Sequence, residues 1–165
     1  MCQPGNNVVG NSQISEAFSY ELFARWGYTE PDKNEKELLD LLGPAKIAVD
    51  YVCKIYGVSV GVSVTRAIRF GTNSFSGSFA KEDVQKLLEK KLKDLKDTSK
   101  HQNNKLWEKK ILHVWVQNQE TANIVSEVAA KILKDHDYLN TLVVISKAEE
   151  WDFIFTNNFQ QLHGT

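Results

Sequence analysis

Residues 46–70 read KIAVDYVCKIYGVSVGVSVTRAIRF. Val58, Val60, Val62 and Val64 alternate with Ser59, Gly61, Ser63 and Thr65. That period of two is the mark of a strand with one buried face. Upstream, Ile47, Val49, Tyr51, Cys53 and Ile55 alternate with Ala48, Asp50, Val52, Lys54 and Tyr56. Tyr56-Gly57 lies between the two runs as a tight turn. The stretch therefore predicts an antiparallel hairpin of Lys46–Tyr56 with Val58–Val64. Asp50 stands out in it, because Asp is depleted in strands and needs a partner, solvent or a chemical task.

On the N-terminal side, residues 1–13 are a polar, loosely structured lead-in. Ser12 is a helix cap, and Ile14, Phe18 and Leu22 with Ala17 and Phe23 mark an amphipathic helix over 14–26. Glu16, Ser19 and Glu21 fall away from the centre of that stripe. Gly27 ends the helix, Thr29-Glu30-Pro31-Asp32 reads as a loop, and Glu35–Leu42 as a short helix stopped by Gly43-Pro44.

On the C-terminal side, Gly71–Ser78 is a polar loop, with Ser78 able to cap the next helix. Val84, Leu87, Leu88, Leu92 and Leu95 form one stripe of that helix, over Lys81–Lys96. Its other faces carry Lys81, Lys86, Lys90, Lys91, Lys93 and Lys96 with interspersed acids, the acids leaning toward the N-terminal turn as the helix dipole favours. Asp97–Lys105 reads as a loop. Ile111–Gln117 is a strand with Leu112, Val114 and Val116 on one face and Ile111, His113 and Trp115 on the other. Glu120–Lys134 is a helix, Thr141–Ser146 (TLVVIS) a nearly continuous apolar strand expected at the sheet centre, and Trp151–Thr156 a last strand. Residues 157–165 are a fraying tail.

With no repeat or linker, 165 residues suit one domain, 1–165, with a proper core. An antiparallel hairpin followed by β-α-β units implies an α/β fold, a three-layer sandwich with a mixed sheet of about five strands and flanking helices.

Composition narrows the function classes. The chain has 20 basic and 21 acidic residues, net charge −1, so the whole molecule exerts no bulk attraction on nucleic acid or an anionic membrane. Any such binding needs a local patch. The two cysteines, Cys2 and Cys53, form no CxxC or Cys/His cluster, which argues against structural zinc and a disulfide framework. Cys53 alternates with core residues and reads as inert. No apolar run approaches the ~18 residues of a membrane span, and the first residues lack the basic and apolar regions of a signal peptide. An intracellular protein, cytoplasmic or nuclear, is expected.

The order helix, antiparallel hairpin, helix, parallel strand resembles the core of the PD-(D/E)XK, restriction-endonuclease-like, nucleases. The resemblance covers residues 14–146 and rests on element order and two carboxylates. It implies that Glu16 corresponds to the helix glutamate and Asp50 to the strand aspartate, catalytic residues that converge on Mg²⁺. The third motif departs from the family. Where Glu-x-Lys is expected, this chain has Ser63-Val64-Thr65-Arg66, with no acid from Val58 to Phe70. Arg66 can stand in the lysine's place but cannot act as a deprotonated base. A migrated acid, Glu82 or Glu89, is the remaining candidate to complete the site.

The resemblance thus implies a catalytically degenerate relative, binding DNA or RNA or serving as a subunit of a nucleic-acid-processing assembly. On that reading Arg66, Arg69, Lys81, Lys86 and Lys90 face phosphate. Two alternatives stand beside it. One is an active Mg²⁺-dependent phosphodiesterase, the only case that calls for a cofactor. The other is a small α/β protein-interaction subunit, which the near-zero net charge and the exposed aromatic candidates Trp107 and Trp151 fit. A protein partner is expected in either non-enzymatic case, and a membrane in none.

Each residue also has an ordinary reading. Asp50 pairs with Lys54 or Arg66, Glu16 complements a helix dipole, and the lysines of 81–96 form a solvated face. Gly71–Ser78 lacks the Gly-Lys-Ser/Thr of a phosphate-binding loop. His113 and Trp115 are packed core groups, and no Gly-x-Ser-x-Gly elbow supports a serine nucleophile.

Overall fold

The computed structural model describes residues 13–26, 29–34, 37–38, 47–68, 80–100, 106–151 and 154–155. Its strands are β1 (Thr29–Asn34), β2 (Tyr51–Ile55), β3 (Val58–Arg66), β4 (Lys109–Val116) and β5 (Thr141–Lys147). Its helices are α1 (Gln13–Arg25), α2 (Lys81–Lys100) and α3 (Gln119–Ile132), with a short 3₁₀ turn at His136–Tyr138. The chain is α/β with a mixed five-stranded sheet. β2 runs antiparallel to both its neighbours, β1 and β3, whereas β3, β4 and β5 run parallel.

The predicted hairpin forms, with Tyr51 opposite Val62 and Ile55 opposite Val58. Tyr56 and Gly57 have φ of 50° and 79°, the paired left-handed conformations of a two-residue turn whose twist matches the flanking strands. β2 is shorter than predicted. Residues 47–49 are irregular, and Asp50 sits in a bend just before β2, not on the strand. That removes the conflict between an Asp and strand propensity.

β3 is buried on both faces, not one: every residue from Val60 to Thr65 is buried. The reason is layering. The connections β3-α2-β4 and β4-α3-β5 have the same hand, so α2 and α3 cover one face, where Val84, Leu88, Leu92, Leu95 and Val125 pack with Val52, Leu112, Val114 and Val116. α1 lies on the other face, where Phe23 packs with Val60, Val62, Val64, Ile111 and Trp115. The small polar residues of β3 face the α2–α3 layer. Gly61 is required there, because a Cβ would lie 2.9 Å from the Trp107 ring. Trp107 is accordingly buried, contrary to the exposure expected of it.

Other expectations change too. Thr29–Asp32 belongs to strand β1, not a loop. Pro31 is tolerated because β1 is an edge strand, and its pairing with β2 shifts register between Pro31 and Lys33. α2 continues to Lys100, since Thr98 Oγ1 donates to the Asp94 carbonyl and accepts from the Ala48 amide. β5 is the outer strand of the sheet, not a central one. Its apolar run reflects packing on both faces, Val143 and Ile145 toward the α2–α3 layer and Val144 toward the α1 layer. Trp151–Thr156 is no strand among its described residues: Ile154 N–H donates to the Trp151 carbonyl at 3.0 Å, and Ile154 and Phe155 turn back into the α1 layer. The helix expected at Glu35–Leu42 is described only at Glu37–Leu38, which is helical. Cys2, Ser12, Arg69 and the Gly71–Ser78 loop lie outside the described residues.

Candidate functional site

Ligands of open parallel sheets commonly sit where strand order reverses. This sheet runs in chain order from β1 to β5, so it offers no such crevice. The candidate site is instead a cleft of about 800 Å³ between the N-terminal half of α1 and the ends of β1 and β2. Gln13, Glu16, Ala17 and Tyr20 line it from α1, Asp32, Lys33 and Asn34 from β1, and Asp50, Tyr51 and Val52 from the start of β2, with Glu37 beside them. Glu16 and Asp50, paired from the sequence, thus do line one cleft.

The Asp50 carboxylate is nevertheless committed to the backbone. Asp50 N–H donates to the Val62 carbonyl at 2.8 Å, and Asp50 Oδ2 accepts from Val64 N–H at 2.6 Å. Asp50 therefore extends the hairpin ladder with its side chain. Asp50 thus meets the β3 backbone at Val62 and Val64. β3 itself carries no acid from Val58 to Arg66. Asp32 pairs with Lys33 at 2.6 Å. Glu37 Oε2 accepts from Asn34 N–H at 2.7 Å while Asn34 Oδ1 accepts from Glu37 N–H at 3.0 Å. That reciprocal pair is a capping box at a helix start.

Arg66 lies at the end of β3, half-buried, with Nη1 donating to the Ile154 carbonyl at 3.3 Å. Burial lowers its pKa, and the charge of Glu16 opposes that shift, so Glu16 and Arg66 are in electrostatic reach. Arg66 does not line the cleft. Mg²⁺ prefers several anionic oxygens converging in near-octahedral geometry. Here Asp50, Asp32 and Glu37 are each turned to a local partner. Among the described residues no group of three His, Cys, Asp or Glu comes together to hold a metal ion. The donor set does not fit Mg²⁺. Glu82 and Glu89, on exposed positions of α2, do not line the cleft either.

The predicted phosphate-facing lysines are on the opposite side of the sheet. Lys81 pairs with Glu127 of α3 at 2.7 Å, and Glu127 also accepts from Lys131 at 2.9 Å. Two ammonium groups hold the Glu127 carboxyl down at about 2. Lys86 and Lys90 are exposed on the outer face of α2. The structure thus brings Glu16, Asp50 and Arg66 into one region and keeps Lys81, Lys86 and Lys90 away from it.

Sequence reasoning missed a buried polar chain under α1. Tyr51 Oη and Ser19 Oγ are 2.8 Å apart, Ser19 Oγ and His113 Nδ1 2.6 Å, and His113 Nε2 and Ser146 Oγ 2.8 Å. Trp115 Nε1 donates to the Ser15 carbonyl beside it at 3.1 Å. Burial lowers the His113 pKa to about 4 and raises that of Tyr51, so both are neutral at pH 7. The available signal was the i, i+4 line Ser15-Ser19-Phe23, which is the line α1 actually buries. Serines are easily taken for solvent-facing, and the more apolar Ile14-Phe18-Leu22 line masked it. Cys53 is buried too, its thiol pushed up to about 11 by desolvation.

No family model, curated protein or solved structure matches the chain.

Proposed function

We propose that this chain is a nuclease-like α/β domain that has lost catalysis and works by binding nucleic acid, alone or as a subunit of a nucleic-acid-processing assembly. The order α1-β1-β2-β3-α2-β4 supports the PD-(D/E)XK resemblance, with Glu16 on the first helix and Asp50 at the head of β2. The observation that carries the loss of catalysis is Asp50 itself. Its carboxylate accepts from the Val64 amide, and β3 carries no acid where the family places one. One carboxylate committed to the backbone holds Mg²⁺ poorly.

Two measurements test this reading. Incubated with Mg²⁺ or Mn²⁺, the protein should leave single- and double-stranded DNA and RNA intact. Metal-dependent cleavage that disappears in a folded Asp50→Asn variant would instead establish an active phosphodiesterase. Binding should reside in the α2 lysines, because the cleft carboxylates repel phosphate. Oligonucleotide affinity should fall with salt, and Lys86→Glu with Lys90→Glu should reduce the salt slope by about two. Binding that is absent at low salt would leave the protein-interaction reading in its place.

A further inference from the structure

The two edges of the sheet are unlike. β1 carries Pro31, Asp32 and Lys33 and a register shift, the devices that stop edge-to-edge pairing. β5 has neither a proline nor a register shift. It is seven residues, TLVVISK, in unbroken register with β4, and its single charge is at the end. Its side chains are half-buried, and Leu142 is 58% exposed. The direction of its main-chain groups follows from two bonds: the Asn140 carbonyl accepts from Lys110 and Ala148 N–H donates to Val116. Even-numbered positions of β5 therefore point at β4. The odd ones, Thr141, Val143, Ile145 and Lys147, point their N–H and C=O groups outward.

We infer that β5 pairs antiparallel with β5 of a second copy of this chain, about a two-fold axis at Val144, joining two five-stranded sheets into one. This register sets Val143 opposite Ile145 of the other copy, so their outward groups exchange hydrogen bonds. Thr141 falls opposite Lys147, and no like charges face each other. Leu142 falls opposite Ser146, on the α1 face of the sheet. Ser146 lines a cleft of about 550 Å³ with Trp26 and Trp151, which are 63% and 47% exposed. The exposed leucine of each copy therefore meets the exposed tryptophans of the other. Two apolar features that a lone chain leaves in water cover one another in a closed, isologous contact.

The test is made on the full chain. Sedimentation should show twice the chain mass, falling to the single-chain mass in Leu142→Asp with an unchanged circular dichroism spectrum. Tryptophan emission should shift to the blue as wild type associates, and that shift should vanish in the variant. Val143→Pro, which removes an outward N–H without touching the β4 ladder, should give the same loss by a different chemistry. In a Cys2→Ser background, Val144→Cys should cross-link to itself on mild oxidation while Ile145→Cys should not, because only residue 144 faces its own copy. Wild type that stays single-chain at every attainable concentration overturns the inference. So does a dimer that survives both Leu142→Asp and Val143→Pro.

Discussion

His113 is an imidazole shut away from solvent: fully buried, touching Phe23 and Trp115 edge-on or tilted, and bonded through both ring nitrogens to serine hydroxyls. Charging it inside the fold is costly, so its pKa falls from 6.5 to about 4. The folded state then binds fewer protons than the unfolded one between these values. Stability contributed by the neutral ring is full above pH 6.5 and is lost as pH falls toward 4, roughly 3 kcal/mol in all. Urea titrations between pH 7 and 5 should show this slope, and it should flatten in His113→Gln. An unchanged slope would place the titration elsewhere. Tyr56 makes the opposite case. It is 77% exposed and holds φ at 50°, where a side chain is strained but Asn is tolerated. Tyr56→Asn should raise stability by up to about 1 kcal/mol. A destabilised variant would mean that the ring has a packing role. Asp50 was legible as an anomaly in the sequence. That its partner is the Val64 amide was not, because a main-chain donor leaves no trace in residue types.

Among helices and strands, periodicity was readable wherever one face is wet. The α2 stripe buries Val84, Leu88, Leu92 and Leu95 as its spacing implies, with Leu88 fully buried. Leu88→Ala should cost about 2–4 kcal/mol by denaturation, and a cost under half a kcal/mol would remove the stripe from the core. The sequence was poorest where partners decide. Pro31 hid β1, because only an edge position and a register shift make a strand around it possible. TLVVIS looked central, because packed layers on both faces give an edge strand the same apolar run as an interior one. Gly61 looked like one small residue among others, yet it is the seat of Trp107. Gly61→Ala should destabilise by roughly 1–3 kcal/mol, and a Trp107→Leu partner substitution should recover part of that. If the double variant is no better than Gly61→Ala alone, the clash is not with the ring.

For the molecule as a whole, the α/β layering was legible from the hairpin, whereas Glu16 was set beside Asp50 only by the resemblance; both line one cleft. The separation of that cleft from Lys81, Lys86 and Lys90 was not legible, because helix handedness in space and not residue type decides which face α2 covers. The architecture also sets an order in time. Every strand pairs with its neighbour in the chain, so each new strand finds its template already present and the sheet can grow in sequence order. α1 is the exception. It precedes the sheet, yet it is fastened by Ser15 to Trp115 and by Ser19 to His113, about a hundred residues on. Contacts of such long separation are slow to close. The first of the described helices in the chain is thus expected to dock last. Pulse-labelled hydrogen exchange during refolding should protect β2, β3 and β4 before α1, and simultaneous protection of all four would rule that order out.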